Sequence, residues 1–259
     1  MNRLLIRLWG ILDGEDPESI NYQIAQTLVE NIASIRHTSS ASLAELCNVS
    51  KPSISRFCKN LGYEDFYDFR AELNQYCPDR GTKYILSSGS GDSNWMAGYM
   101  DSIRRNLDLM QNPMIREKIE RLSHDIYSYR KVFLLGNMQS GKTASNLHYN
   151  LHVVKKNIYA VSSLKEQIQV FDVCRPGTLI VIFSVSGEYF RALFPGGEIP
   201  KHPAGSKIWL VTTNPAVRKM DGIDEILNCE TGSDIAGSNI CLEIAANLIA
   251  TCYWKLYQQ

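Results

Sequence analysis

The apolar residues in the first part of the chain recur every three or four positions, which is the spacing of an amphipathic helix. Over residues 16–38 they are Ile20, Ile24, Leu28, Ile32 and Ile35. The pair Asp16-Pro17 predicts the start of this helix, because Asp caps helix N-termini and proline is accepted in the first turn. Residues 1–14 predict another helix, since this short apolar stretch is interrupted by arginines and lacks a signal-peptide cleavage site.

Short, mostly apolar runs separated by segments with helical spacing characterise the second half of the chain. They lie at residues 132–135, 158–161, 179–185, 208–212 and 225–227. Runs of this kind predict parallel strands in a sheet that is covered on both faces. Residues 95–129 predict two helices separated by Asn112-Pro113, and residues 235–256 predict a closing helix.

A polar, Gly- and Ser-rich stretch between these two patterns predicts a linker. The sequence therefore predicts an all-α helix-turn-helix domain at residues 1–77, a linker at 78–94, and an α/β three-layer domain with a parallel sheet at 95–259. A chain of 259 residues is long enough for two such cores.

The composition limits the functions that this chain can have. Lys and Arg number 27, as do Asp and Glu, so nucleic-acid binding requires a local cationic patch. The longest apolar runs are much shorter than a membrane span, which predicts no membrane partner. Seven cysteines without a C-x-x-C pair fit a reducing cytoplasm, and their spacing to histidines predicts no metal site. No cofactor is predicted.

Two short helices joined by a tight turn are predicted between residues 42 and 62. Ser42 and Glu45 have the spacing of a capping box, which starts a helix at Ser42. Asn48-Val49-Ser50 ends that helix, and Ser50 caps a second one that stops at Gly62. On the second helix a buried stripe is formed by Ile54, Phe57, Cys58 and Leu61. Facing outward are Lys51, Ser53, Ser55, Arg56 and Lys59.

This helix pair has the geometry that places a recognition helix in the major groove of double-stranded DNA. Between Leu46 and Tyr63 there are three basic residues and no acidic one, whereas residues 1–80 hold 8 Lys/Arg and 11 Asp/Glu. The sequence predicts DNA contacts from Ser50, Lys51, Ser53, Ser55, Arg56 and Lys59. The alternative is an ordinary helical domain with a solvated basic face.

Residues 42–63, followed by Phe66 and Phe69, closely resemble the N-terminal domain of RpiR-type transcriptional regulators. The resemblance lies in the turn Val49-Ser50, the pair Arg56-Phe57, the ending Leu61-Gly62-Tyr63 and the later Phe-x-x-Phe segment. It implies a sequence-specific, DNA-binding regulator of transcription.

Residues 136–143, Gly-Asn-Met-Gln-Ser-Gly-Lys-Thr, fit the P-loop pattern between a predicted strand and a predicted helix. A nucleotide hydrolase also needs a carboxylate that holds Mg²⁺ at the end of another strand. Neither the strand ending in Ser184-Val185-Ser186 nor the strand ending in Thr212-Thr213 supplies one. ATP or GTP hydrolysis is therefore disfavoured, although a P-loop nucleotide-binding protein stays an alternative.

The same loop also resembles the sugar-isomerase (SIS) phosphosugar-binding fold, which follows the DNA-binding domain in RpiR-type regulators. The resemblance lies in Gly136-x-x-x-Ser140 after one strand, Ser184-x-Ser186-Gly187 after another, and the long closing helix. It implies that a phosphorylated sugar or related metabolite binds Gly136, Ser140, Gly141, Lys142, Ser184, Ser186 and Gly187. Amides at a helix N-terminus favour such an anion, and Gly141 and Lys142 are expected to point theirs outward.

Two residues depart from the SIS pattern. Met138 stands where the family has a glycine, and Tyr189 where it has Thr or Ser, so we expect a weaker or differently shaped ligand. No catalytic residue is predicted, because isomerisation needs a positioned base and no carboxylate or histidine is identified at the site. A sugar-phosphate isomerase stays the alternative. The chain is expected to be at least a homodimer through the helices at 95–129 and 235–256.

Overall fold

The computed structural model describes residues 3–74, 94–151, 157–194, 197–230 and 237–257. The chain divides into two compact units, residues 1–80 and 81–259. The linker predicted at 78–94 lies outside the described residues except for Asn94. The domain bounds 1–77 and 95–259 therefore stay predictions.

The first unit is helical. Its helices are α1 (Arg3–Gly14), α2 (Ile20–Asn31), α3 (Ser40–Leu46), α4 (Lys51–Asn60) and α5 (Phe66–Asn74). One core joins them, and its largest buried side chains include Leu4, Leu8, Ile24, Leu28, Leu43, Ile54, Phe57 and Phe69. The stripe predicted around α2 is buried except for Ile20, which is half exposed at the first residue of the helix.

Two predicted helix starts in this unit are wrong. Helix α2 begins at Ile20, where the Ser19 hydroxyl accepts from the Tyr22 amide, and it ends at Asn31 instead of continuing to residue 38. Asp16 accepts from the Glu18 amide in the turn before the helix. Helix α3 begins at Ser40, because the cap is Ser39 and not Ser42. The hydroxyl of a serine caps the amide three residues later, and Ser39 accepts from the Ser42 amide at 3.1 Å.

The second unit alternates helices and strands. It contains α6 (Trp95–Met110), α7 (Pro113–Ser128), β1 (Lys131–Gly136), α8 (Gln139–Leu151), β2 (Asn157–Val161), α9 (Leu164–Asp172), β3 (Thr178–Phe183), α10 (Tyr189–Leu193), β4 (Lys207–Thr212), β5 (Glu225–Asn228) and α11 (Ser238–Tyr257). The five predicted strands and the helix pair divided at Asn112-Pro113 are confirmed. The predicted first residues of the closing helix lie partly outside the described residues, which resume at Gly237.

The sheet has the order β2-β1-β3-β4-β5, and every neighbouring pair is parallel. Alternate residues of each strand point to opposite faces. One face, including Val132, Val181 and Trp209, packs in a core with α7, α8 and α11. The intervening residues, such as Ile180 and Leu210, are also fully buried. The predicted three-layer α/β fold with a parallel sheet is confirmed, and no described helix is both long and apolar enough to span a membrane.

Candidate functional site

The candidate site in the first unit is the turn between α3 and α4. Asn48 in this turn adopts φ 51°, a left-handed conformation that asparagine tolerates better than most residues. Ser50 then caps α4 as predicted, since its hydroxyl accepts from the Ser53 amide at 3.3 Å. Pro52 lies in the first turn, and Gly62 follows the helix with φ 82°. The local sequence therefore fixes both ends of α4.

Helix α4 has one buried face and one exposed, cationic face. The predicted stripe is confirmed as buried and consists of Ile54, Phe57, Cys58 and Leu61. On the opposite side Lys51, Ser55, Arg56 and Lys59 are exposed, and so is the capping Ser50. These five residues form what we term the α4 face.

Ser53 does not face outward as predicted. Its side chain is buried, and its hydroxyl lies 2.9 Å from the Ser50 hydroxyl and accepts from Nη2 of Arg56 at 3.2 Å. At three residues from both partners it lies at the helix surface between them, so the two flanking side chains cover it. Ser53 thus orients the Arg56 guanidinium.

The candidate site in the second unit lies at the carboxyl ends of β1 and β3. Gly136 pairs with Phe183 in the parallel register, so the loops that follow these two residues begin side by side. The structure therefore brings the two predicted segments, Gly136 to Lys142 and Ser184 to Gly187, to one edge of the sheet. Lys142 is exposed, whereas Ser140 and Ser184 are buried.

The loop after β1 is shorter than the sequence pattern suggests, because α8 begins at Gln139. A Cβ atom on Gly136 would lie 2.7 Å from the Ser140 carbonyl, and one on Gly141 would lie 2.9 Å from the Gly136 carbonyl oxygen. Both glycines therefore serve the close approach of strand and helix.

The prediction that the Gly141 and Lys142 amides point outward is wrong. The Gly141 amide donates to the Met138 carbonyl at 3.0 Å and the Lys142 amide to the same carbonyl at 3.3 Å. Met138 adopts φ 52° to close this turn, in the conformation that glycine takes without strain. Because these amides are engaged within the first helical turn, the loop lacks the ring of inward-facing amides of a P-loop.

The donors that remain at this edge are hydroxyls and two other amides. Among the described residues, no backbone carbonyl accepts from the amides of Met138 and Gln139, and Ser140 adds a hydroxyl. After β3, the Ser184 hydroxyl accepts from the Gly187 amide at 3.1 Å, and the Ser186 hydroxyl accepts from the Glu188 amide at 3.3 Å. Both hydroxyls keep a proton that can be donated.

Tyr189 fills space beside this edge, and its partner Gln167 was missed by sequence reasoning. The Tyr189 hydroxyl donates to Oε1 of Gln167 at 2.6 Å, and Nε2 of Gln167 donates to the Gly136 carbonyl at 2.9 Å. Both side chains are fully or almost fully buried, and burial raises the pKa of Tyr189 well above its ordinary value. Gln167 lies on α9 among residues of no recognisable motif, so nothing in the sequence identified it.

An open groove of about 660 Å³ lies beside Gly187. Its charged lining residues carry both signs: Glu188, Arg191, Glu198, Lys201 and Asp221. The lining therefore has no surplus of positive charge for an anion. Among the residues that the structure describes, no three His, Cys, Asp or Glu side chains come together as metal ligands.

A short helix followed by a tight turn and a second helix with an exposed cationic face defines a helix-turn-helix domain. Residues 18–79 match the model of the helix-turn-helix domain of the rpiR family. The chain is also similar to the HTH-type transcriptional regulator HexR of Escherichia coli, with 22% identity over 64% of this chain and 58% of that protein. HexR of Pseudomonas aeruginosa is 20% identical over 72% of this chain and 66% of that protein.

The chain thus spans about 60% of the length of these two curated relatives. Among solved structures, the NanR protein of Vibrio vulnificus complexed with ManNAc-6P matches with 17% identity and a TM-score of 0.47. That match covers 98% of this chain and 92% of NanR.

Proposed function

We propose that this protein is a sequence-specific DNA-binding regulator of transcription that reads the major groove with α4. The observation that carries the proposal is the α4 face, where three cations project from a helix whose other side is packed in the core. The overall charge is balanced, so this local concentration is what attracts phosphates. The match of residues 18–79 to the rpiR family model and the similarity to transcriptional regulators support the proposal.

Selection from a pool of random-sequence DNA duplexes tests this proposal. The full chain is expected to enrich one sequence motif, and its affinity for the enriched duplex should fall as salt rises, because bound cations release counterions from DNA. A chain that enriches no motif from the pool contradicts sequence-specific binding.

The second unit is proposed to bind an anionic effector, of which a phosphorylated sugar is the first candidate. The hydroxyls of Ser140 and Ser186 and the amides of Met138 and Gln139 supply donors beside the exposed Lys142. Donors at a helix start and at the carboxyl ends of parallel strands bind phosphate without a metal. We assign Gly136, Gly141, Ser184 and Gly187 to shaping this site.

The buried Tyr189–Gln167 pair favours a second candidate, in which the second unit binds no ligand and serves as a scaffold for assembly. Calorimetry with sugar phosphates, N-acetylated sugar phosphates and ATP separates the candidates. Heat from a sugar phosphate that Ser140→Ala abolishes supports the effector. Mg²⁺-dependent heat from ATP that Lys142→Ala abolishes would indicate a nucleotide-binding protein instead, and an absence of heat from every compound would leave the scaffold.

An enzymatic function is not part of the proposal, and the same calorimetric samples can test it. A sugar-phosphate isomerase would convert the ligand during the titration, and analysis of the recovered compound would identify a ketose and aldose mixture. Recovery of the unaltered sugar phosphate supports a regulator without isomerase activity.

Assembly into a homodimer or a higher homo-oligomer is the last part of the proposal. Helices α6 and α11 carry exposed apolar side chains, among them Trp95, Met96, Met100, Leu248 and Leu256. Two copies of a recognition helix read enough base pairs for useful specificity, whereas one copy does not.

A further inference from the structure

Arg7 of helix α1 is a buried cation that caps the carboxyl end of the recognition helix, α4. Nη1 of Arg7 donates to the carbonyl of Leu61, the residue that follows α4. Only 7% of Arg7 is exposed, although arginine is almost always at the surface unless it is paired. Because α1 lies before residue 18, where the rpiR-family match begins, no part of that match explains this contact.

The Leu61 carbonyl is one of the acceptors that a helix end leaves without a partner inside the helix. The amides of Leu61, Gly62 and Tyr63 are bonded back to the carbonyls of the last turn of α4. The guanidinium of Arg7 satisfies the carbonyl and places positive charge at the negative end of the helix dipole. It also lies where Gly62 has no side chain, since a Cβ there would be 3.1 Å from Nη1.

A group of aromatic and acidic side chains holds the Arg7 guanidinium in place. The guanidinium carbon lies 5.4 Å from the centre of the Tyr63 ring, and the Tyr63 hydroxyl donates to Glu72 at 2.7 Å. Burial, and then the neighbouring charge of Arg3, lower the pKa of Arg7, while Tyr63 and Glu72 raise it. An arginine stays charged in such a site, so a cation links α1, the end of α4 and, through Glu72, α5.

We propose that Arg7 is a positioning residue for DNA binding, which fixes the last turn of α4 and thereby the direction in which Lys59 projects. Lys59 lies in that last turn, and its carbonyl accepts from the Gly62 amide next to the Arg7 contact. Lys51 lies at the opposite end of the helix, two turns away, and Ser50 fixes that end. The inference rests on the proposed DNA-binding function of the α4 face.

A double-mutant cycle on the DNA duplex enriched from the random pool tests this role. In the wild-type background Lys59→Ala is expected to weaken binding about fivefold or more, as loss of a phosphate contact does. In the Arg7→Met background the same change should weaken it less than about twofold, because Lys59 is no longer held toward the DNA. Lys51→Ala serves as the matched control and should have the same effect in both backgrounds. If Arg7 only stabilised the fold, Arg7→Met would change the effects of Lys59→Ala and Lys51→Ala on DNA affinity by the same factor.

Hydrogen exchange and conservative replacement check the physical cause. Arg7→Met should speed exchange of the Leu61, Gly62 and Tyr63 amides at least about tenfold, the effect of losing one charge-assisted hydrogen bond. Arg7→Lys keeps the charge and should restore part of the protection and of the coupling to Lys59. Arg3→Met removes the same charge from the same helix, leaves the Leu61 contact in place, and should change neither. If Arg7→Met does not fold, the cycle is measured with Arg7→Lys.

The failure of this inference differs from the failure of the proposed function. If the wild-type chain enriches no DNA, the proposed function fails and the positioning role fails with it. If the wild-type chain binds, but Lys59→Ala has the same effect with and without Arg7, the inference alone is overturned. Unchanged exchange at Leu61 to Tyr63 in Arg7→Met would overturn it as well.

Discussion

Ser53 restricts the side-chain conformations of the exposed Arg56, through a hydrogen bond to its guanidinium. A guanidinium that donates to a buried hydroxyl loses less rotamer freedom on binding, because part of that freedom is already lost in the free protein. Arg56 is therefore the residue of the α4 face whose direction is best defined before DNA binds. Lys51 and Lys59 differ from it, because their ammonium groups sit on flexible stems and the direction of each side chain depends on the backbone at its end of α4.

Arg56→Glu is expected to weaken binding to the enriched DNA duplex at least about tenfold, since a contact is lost and a repulsive charge is gained. Fluorescence anisotropy measures the affinity, and circular dichroism should give an unchanged melting temperature because the side chain is exposed. Arg70→Glu on α5 makes the same charge change in the same unit and should have the smaller effect. Equal losses in both variants would attribute binding to overall charge and not to the α4 face.

The buried hydrogen bond between Tyr189 and Gln167 predicts a loss of stability when the Tyr189 hydroxyl is removed. Tyr189→Phe removes the hydroxyl that donates to Oε1 of Gln167 at 2.6 Å and leaves a buried acceptor unsatisfied. The expected loss of unfolding free energy is about 1 to 3 kcal/mol in urea titration. Tyr159→Phe, at a tyrosine with 44% of its surface exposed, should stay within about 0.5 kcal/mol of the wild type. Similar values for the two variants would contradict the assigned hydrogen bond.

The sequence predicted that residue 189 would matter but not how. The departure from Thr or Ser was visible from the pattern alone, whereas the partner Gln167 comes from a different helix 22 residues earlier. Contacts between elements depend on how the helices pack on the sheet, and no local spacing encodes that. The same reason explains why the link between Arg7 and Leu61, 54 residues apart, was not predicted.

At the scale of elements, strand β1 and helix α8 approach each other through backbone atoms. Gly136→Ala would place a methyl group 2.7 Å from the Ser140 carbonyl, where only a backbone shift can relieve the overlap. We expect a loss of about 1 to 3 kcal/mol, the usual cost of overpacking a tight contact. Gly14→Ala is the control, because a Cβ there meets nothing within 4 Å, and thermal unfolding measures both. A neutral Gly136→Ala would show that the loop has room for a side chain.

Local signals predicted the presence of each element better than its first residue. The apolar runs identified all five strands. In β1, β3 and β4 the reason is burial on both faces, which needs apolar side chains at successive positions, whereas the edge strands β2 and β5 are only partly buried. Local signals did not determine the helix starts, since Ser39 and Ser42 are both capping residues by type and only Ser39 precedes the first helical turn. Asp16 and Ser19 are likewise both capping residues by type, and Ser19 is the one that caps α2. The prediction that the Gly141 and Lys142 amides point outward was wrong for a related reason, because α8 starts two residues before Gly141.

At the scale of the whole molecule, two surface features affect binding: the overall charge is balanced, and helices α6 and α11 expose apolar side chains. The equal numbers of acidic and basic residues leave the α4 face as a local feature. In the second unit, Met96 and Met100 of α6 are 62% and 45% exposed, and Leu248 of α11 is 39% exposed. Side chains of this type are enriched in protein interfaces, where they exclude water.

The last prediction is that these helices hold two copies of the chain together. Wild type should sediment as a dimer or larger at micromolar concentration, because the exposed apolar side chains of α6 and α11 gain free energy when a second copy removes them from water. Met100→Glu and Leu248→Glu should each shift the chain toward monomer, since a charge in an apolar interface is desolvated without a partner. Tyr149→Glu, at a side chain with 72% exposure on α8, is the control and should leave the assembly unchanged. A monomer that still binds its DNA duplex at wild-type affinity would show that one recognition helix suffices, whereas a weaker complex formed by the folded monomeric variants would support two-fold reading of the DNA.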